Sequence, residues 1–67
     1  MIPTKLKKVP KGEFFTLKDV EFPNDKQVYI KGEFNRERKK YSCIRFDYIN
    51  CERFIGADRT VYIGFTF

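Results

Sequence analysis

Sixty-seven residues at 8.1 kDa leave room for one domain, and a chain of that length buries only about 60% of the surface it exposes when unfolded, which argues against an elaborate enzyme. Eight Phe and four Tyr within a 42% apolar composition exclude a disordered polar tail, so the chain folds. The net charge of +5 and a pI near 9.4 permit an anionic partner without requiring one.

Absences narrow the chemistry further. With no His, imidazole acid/base catalysis and His-ligated metals are unavailable. Cys43 and Cys51 form no Cys-x-x-Cys pair, so a four-thiolate zinc site needs a second copy of the chain. The sole serine, Ser42, has no base to activate it, and no phosphate-binding Gly-rich loop occurs. Asp47, Glu52 and Asp58 read as turn and surface carboxylates, and nothing sets one of them apart as an acid. The expectation is a non-enzymatic protein without metal or cofactor. The opening MIPTKLKKVPK lacks the apolar core of a signal peptide, and no run approaches the ~20 apolar residues of a membrane span. A cytoplasmic location is expected, with both cysteines reduced and serving as small apolar fillers.

In chain order, residues 1–11 form a basic N-terminal arm carrying Lys5, Lys7, Lys8 and Lys11 and no acid. Pro10-Lys11-Gly12 punctuates the chain before a short strand in Glu13–Val20, with Phe15 and Leu17 inward and Thr16 and Lys18 outward. Phe22-Pro23-Asn24-Asp25 is turn chemistry. Gln27–Phe34 alternates, placing Val28, Ile30 and Phe34 on one face and Tyr29, Lys31 and Glu33 on the other. Gly32 in the apolar row marks a bulge or sharp bend.

Asn35–Lys40, polar and charged throughout, reads as a hairpin loop. The strand Tyr41–Phe46 follows, with Ile44 and Phe46 facing inward and Tyr41 and Arg45 outward. Asp47 caps a helical turn near 47–52, and Arg53–Ile55 returns to extended chain. The final strand, Thr60–Phe67, groups Val61, Ile63, Phe65 and Phe67 against Tyr62, Gly64 and Thr66. Four to five short antiparallel strands cannot make two packed sheets. Closing one bent sheet on itself buries the apolar set and removes its edges. The fold class is therefore all-β, a small single-domain barrel over residues 1–67, SH3-like in preference to OB-like, with Leu6 and Val9 covering one open end.

The pattern Pro10-x-Gly12-x-x-Phe15-x-Leu17, Val28-Tyr29-Ile30-Lys31-Gly32-Glu33-Phe34, Lys40-Tyr41-Ser42-Cys43 and Phe46-Asp47 resembles small uncharacterised β-domain proteins encoded by phages and mobile elements of Gram-positive bacteria, from about residue 10 to the end. The resemblance implies a compact β-domain in a mobile-element setting and carries no active site.

The outward rows supply the candidate site. Tyr29, Tyr41 and Tyr62 interleave with Lys31 and Arg45, and Arg36, Arg38, Lys39 and Lys40 extend the basic track into the hairpin loop. Rings that stack bases, beside cations that neutralise phosphates, suit single-stranded DNA or RNA with little sequence specificity. The plainer reading is that outward Tyr rings cover Lys and Arg stems and stabilise the sheet. The alternative function is a protein-interaction module that binds and modulates a host protein, since exposed Tyr and Arg are typical interface anchors. A monomer or weak homodimer is expected in either case.

Overall fold

A computed structural model describes residues 2–65. Their strands are β1 (Ile2–Lys5), β2 (Phe14–Thr16), β3 (Val28–Asn35), β4 (Lys40–Arg45), β5 (Tyr48–Gly56) and β6 (Thr60–Ile63), with short 3-10 helices at Leu6–Lys8 and Asp25–Gln27. They form one antiparallel sheet in the order β1-β6-β2-β3-β4-β5. Strands β2 to β5 are a meander, and β6 returns to insert between β1 and β2. The chain is thus all-β, and its radius of gyration of 10.9 Å equals the roughly 11 Å of a compact chain this long. The sheet is not closed: β1 and β5 are its two edges.

Six strands replace the expected four to five because part of the basic arm is itself a strand. Ile2, Pro3, Thr4 and Lys5 pair with Ile63, Tyr62, Val61 and Thr60. Pro3 is tolerated there because β1 is an edge, where the missing N–H has no ladder partner to deprive. Leu6 and Val9 then turn inward and are buried, as expected of them. The final strand ends at Ile63; the last two positions of the expected strand, Thr66 on its outward row and Phe67 on its inward row, lie outside the described residues.

The helical turn expected near 47–52 is a strand instead. Phe46 and Asp47 form a tight turn, Arg45 pairs directly with Tyr48, and β5 runs on to Gly56. An irregularity between Ile44, opposite Glu52, and Arg45, opposite Tyr48, absorbs the extra residues. Tyr48, Phe54 and Ile55 are strand formers, and their pairing with Arg45, Ser42 and Tyr41 outweighs a single capping residue. Asp47 binds Arg45 Nε at 2.5 Å rather than capping a helix.

The expected hairpin loop is present at residues 36–39, closed by Asn35 opposite Lys40, with the Arg38 N–H donating to Asn35 Oδ1 at 3.0 Å. The irregularity at Gly32 is present too. Lys31 pairs with Cys43, but the next registered pair is Phe34 with Tyr41, so one extra residue sits in β3. A Cβ on Gly32 would lie 2.3 Å from the Ser42 carbonyl oxygen, which only glycine avoids.

The main buried cluster occupies one face of this sheet, and on β3 it is not the expected one, although Val28 of the expected row is fully buried on the other face. Leu6, Val9, Phe15, Tyr29, Cys43, Ile55 and Val61 form the buried cluster, with Leu17, Tyr41 and Ile63 packed against it. Tyr29 is 8% exposed and Lys31 6%, whereas Ile30 and Ile44 are half-buried and Phe34 and Phe46 exposed. Pairing parity is the cause. Phe15 lies opposite Tyr29, so the two share a face, and their rings stack at 5.9 Å. Thr16, expected outward, is buried on the other face between Val28 and Tyr62, its hydroxyl donating to the Lys18 carbonyl at 2.7 Å.

Candidate nucleic-acid interface

Of the strand residues expected to line one outward surface, Tyr29, Lys31, Tyr41 and Arg45 do share a face, but it is the core face, and Tyr62 lies on the other. Tyr29 lies in the core with its hydroxyl at the margin, where it accepts a hydrogen bond from Arg53 at 3.2 Å. Lys31 is buried beside it, its ammonium donating to the Val9 carbonyl and, at 3.4 Å, to the Lys7 carbonyl. The same ammonium sits 4.0 Å from the Tyr41 ring centroid. These partners offset the cost of burying a cation. Burial still lowers the Lys31 pKa below its ordinary value, with the nearby Cys43 thiol acting the other way. Lys31 thereby ties the first 3-10 helix to β3 and has no reach to a phosphate.

Tyr41 is half-buried, its ring edge-on to Phe34 at 5.0 Å. Arg45 is held by Asp47, a hydrogen bond that raises its pKa. Tyr62 is on the opposite face from Tyr29, aligned with Thr16. The strand residues other than Tyr62 therefore share one face, Arg45 directly opposite Tyr29, but that face is the core and not an open surface. Arg36, Arg38, Lys39 and Lys40 do come together in the open: all four are exposed in and beside one turn, where Lys39 takes a left-handed φ of 55°.

Sequence parity missed a different set of rings. Phe14, Ile30 and Ile44 stand in one cross-strand row. Phe46 continues the pairing of β4 with β3, its N–H bonding the Val28 carbonyl at 2.8 Å, and its ring meets Phe14 edge-to-face at 5.5 Å. Phe54, opposite Ser42 and two residues from Glu52, shares this face, with the Arg38 guanidinium 4.3 Å over its ring. Phe14 and Phe46 are 40% and 38% exposed. By parity Lys40 also belongs to this face, while Glu52 is engaged by the Ser42 hydroxyl. The signal was available in Phe14-Phe15: two adjacent aromatics in a strand cannot both point into one core.

Chemically the surface offers rings and cations rather than reactive groups. Cys43, fully buried, has its thiol pKa raised by desolvation, tempered by a backbone hydrogen bond from Gly32 and by Lys31. Among the described residues no group of three or more Cys, Asp or Glu is placed to hold a metal, and no helix is long and apolar enough to cross a membrane. No family model, curated protein or solved structure matches this chain.

Proposed function

We propose that the protein binds single-stranded nucleic acid, with little sequence preference, on the sheet face bearing Phe14, Phe46 and Phe54. One observation carries this reading: the exposed rings of Phe14 and Phe46 stand on a pleated surface with the half-buried Phe54, whose rim holds Arg38, stacked over Phe54, and Lys40. Bases stack on such rings whatever their identity, for about 1–3 kcal/mol each, and the neighbouring cations neutralise phosphates. Arg36 and Lys39 extend the rim, and the net charge of +5 favours approach of a polyanion. The role is binding without catalysis.

The proposal includes the small SH3-like barrel shape. The Gly32 bulge supports bending of the sheet, and the chain after β1 approaches the chain after β5, where Leu6 and Lys7 N–H groups bond the Arg59 and Ala57 carbonyls at 3.0 Å. A second reading, a module that binds a host protein in a phage or mobile-element setting, draws support from edge strand β5, where Tyr48 is exposed and Ile49 is 71% exposed.

The test is fluorescence anisotropy of a labelled oligothymidylate at about 50 mM salt. Binding should weaken steeply toward about 200 mM. Phe14→Ala and Phe46→Ala should each weaken it roughly 5- to 150-fold, the equivalent of one lost stacking contact. Absence of binding at low salt, or an affinity indifferent to both rings, overturns the reading. A protein partner whose affinity survives the salt step and falls with Ile49→Asp supports the second one.

A further inference from the structure

The core face of the sheet ends in a cleft of about 210 Å³ between the end of β2, the 3-10 helix Asp25–Gln27 and β5, lined by Leu17, Lys18, Lys26, Gln27, Tyr29 and Arg53. We infer that this cleft is an anion site that takes a phosphomonoester. Three of its six lining residues are cations and none is a carboxylate. Among the described residues the ion pairs formed are those of Lys7, Lys11 and Arg45, and none involves Lys18, Lys26 or Arg53. Three like charges around one hollow repel one another, and a dianion seated there relieves that repulsion.

Geometry favours a phosphate over a diffuse counterion. Arg53 is oriented before any ligand arrives, since one guanidinium nitrogen donates to the Tyr29 hydroxyl at 3.2 Å and its Cζ lies 5.8 Å from the Tyr29 ring centroid. Tyr29 is itself fixed by burial and by stacking on Phe15. A guanidinium has five N–H donors, so most remain for the paired oxygens of a phosphate, whose spacing matches its fork. Gln27 adds polarity to the wall: its side-chain carbonyl accepts from the Asn24 N–H at 3.0 Å as part of the helix cap, which leaves the amide NH₂ to donate.

Size bounds the ligand. The volume equals roughly seven waters' share of liquid and falls below the roughly 300–1,000 Å³ of sites for drug-sized molecules. That is room for a phosphate and its first substituent, not for an entire nucleotide. Lys26 also borders a second cleft with Asn24, Asp25 and Asp47, so carboxylates flank the site on that side and favour anions that enter from the side of Lys18 and Arg53. Because Tyr29 and Arg53 lie on the face opposite Phe14 and Phe46, the inference stands apart from the base-stacking platform.

The same phosphomonoester is presented by a small phosphorylated molecule or by the 5′ end of a strand, and one experiment separates these. Amide-resolved ¹H–¹⁵N spectra are recorded on the full chain at fixed ionic strength, first with inorganic phosphate, then with paired oligothymidylates bearing a 5′-phosphate or a 5′-hydroxyl. Saturable shifts at Lys18, Gln27 and Arg53 are expected with phosphate. Arg53→Gln, and as a second variant Lys18→Gln, both exposed positions, should weaken binding by about tenfold. A 5′-phosphate that tightens oligonucleotide binding, by a factor lost in Arg53→Gln but kept in Phe46→Ala, assigns the strand end. Phosphate binding with equal oligonucleotides assigns a small ligand. Shifts that chloride reproduces at the same ionic strength, or unchanged phosphate binding in both variants, overturn the inference.

Discussion

The two faces of β3 carry different kinds of residue, Tyr29 and Lys31 on one and Val28 and Ile30 on the other, and the contrast in what becomes of them runs against polarity. On one face Tyr29 and Lys31 are enclosed with Phe15, Cys43 and Val61 under Leu6 and Val9. On the other, Ile30 stands with Phe14, Ile44 and Phe46 at a partly exposed surface. Apart from Val28, the more polar row is the buried one. Hydrophobicity of a row therefore does not decide which side of a sheet becomes core. The decision falls to whichever face a distant segment, here residues 6–9, folds across, provided each buried polar tip finds a partner.

The largest test of that contrast is a matched truncation. Phe15→Ala empties a fully buried site and should cost about 3–5 kcal/mol. A 67-residue chain has a total stability of only about 3–10 kcal/mol, so the loss is a large fraction of it and the urea midpoint should fall steeply. Phe46→Ala, on the partly exposed face, should cost no more than about 1–2 kcal/mol. Equal losses would erase the distinction between the faces. Gly32→Ala comes next, at about 1–3 kcal/mol, because the new Cβ meets backbone rather than a flexible side chain. Its amide spectrum should show the change concentrated at Gly32–Phe34 and Tyr41–Cys43, where the register shifts.

Much of this architecture is legible in local pattern. The all-β class, the 35–40 turn, the irregularity at Gly32 and the inward Leu6 and Val9 all follow from alternation, turn residues and a misplaced glycine. What escaped depends on contacts remote in sequence. Strand β1 is four residues long with a proline, and it exists because β6, nearly sixty residues away, pairs with it. The parity of β3 escaped because Lys31 marks its row as outward to any local reading. The Val9 and Lys7 carbonyls that satisfy its ammonium lie 22 and 24 positions away. The same inversion hid the candidate surface: with Tyr29 and Lys31 assigned to solvent, Phe14, Phe46 and Phe54 are never considered for it. The hairpin bases, Arg36 to Lys40, were legible because a turn tip is exposed whichever face is core.

Lys31 sharpens the contrast further. Lys31→Ala removes the donor to two carbonyls and should cost about 1–3 kcal/mol at neutral pH. The alkaline limb gives the sign of the burial effect. With the folded pKa lowered from 10.5, the unfolded chain holds the proton more tightly between the lowered value and 10.5. The desolvation cost is fully present below that window and is relieved as pH rises through it, so this residue's contribution makes the protein more stable with rising pH. Lys31→Met keeps the apolar stem and removes the titration. The stability difference, Lys31 chain minus Lys31→Met chain, should move in favour of the Lys31 chain as urea titrations approach pH 10.5. Cys43, whose raised pKa works in the opposite direction above 9.0, is coupled to Lys31 and does not cancel in that difference, so both chains carry Cys43→Ala.

The smallest effect is kinetic and costs no stability to measure. Both thiols are free, Cys43 with no exposure and Cys51 half-buried on edge strand β5. Alkylation requires an accessible thiolate, and burial both shields Cys43 and raises its pKa. Iodoacetamide should therefore label Cys51 first, with Cys43 reacting only as fast as the core face opens. In sub-denaturing urea the Cys43 rate should climb in step with the unfolding equilibrium, while the Cys51 rate stays nearly flat, since an edge position needs no global opening. Equal rates in the absence of urea would place Cys43 at a surface. Because Cys43 is the residue opposite Lys31, that outcome would return Tyr29 and Lys31 to solvent and with them the original basic row.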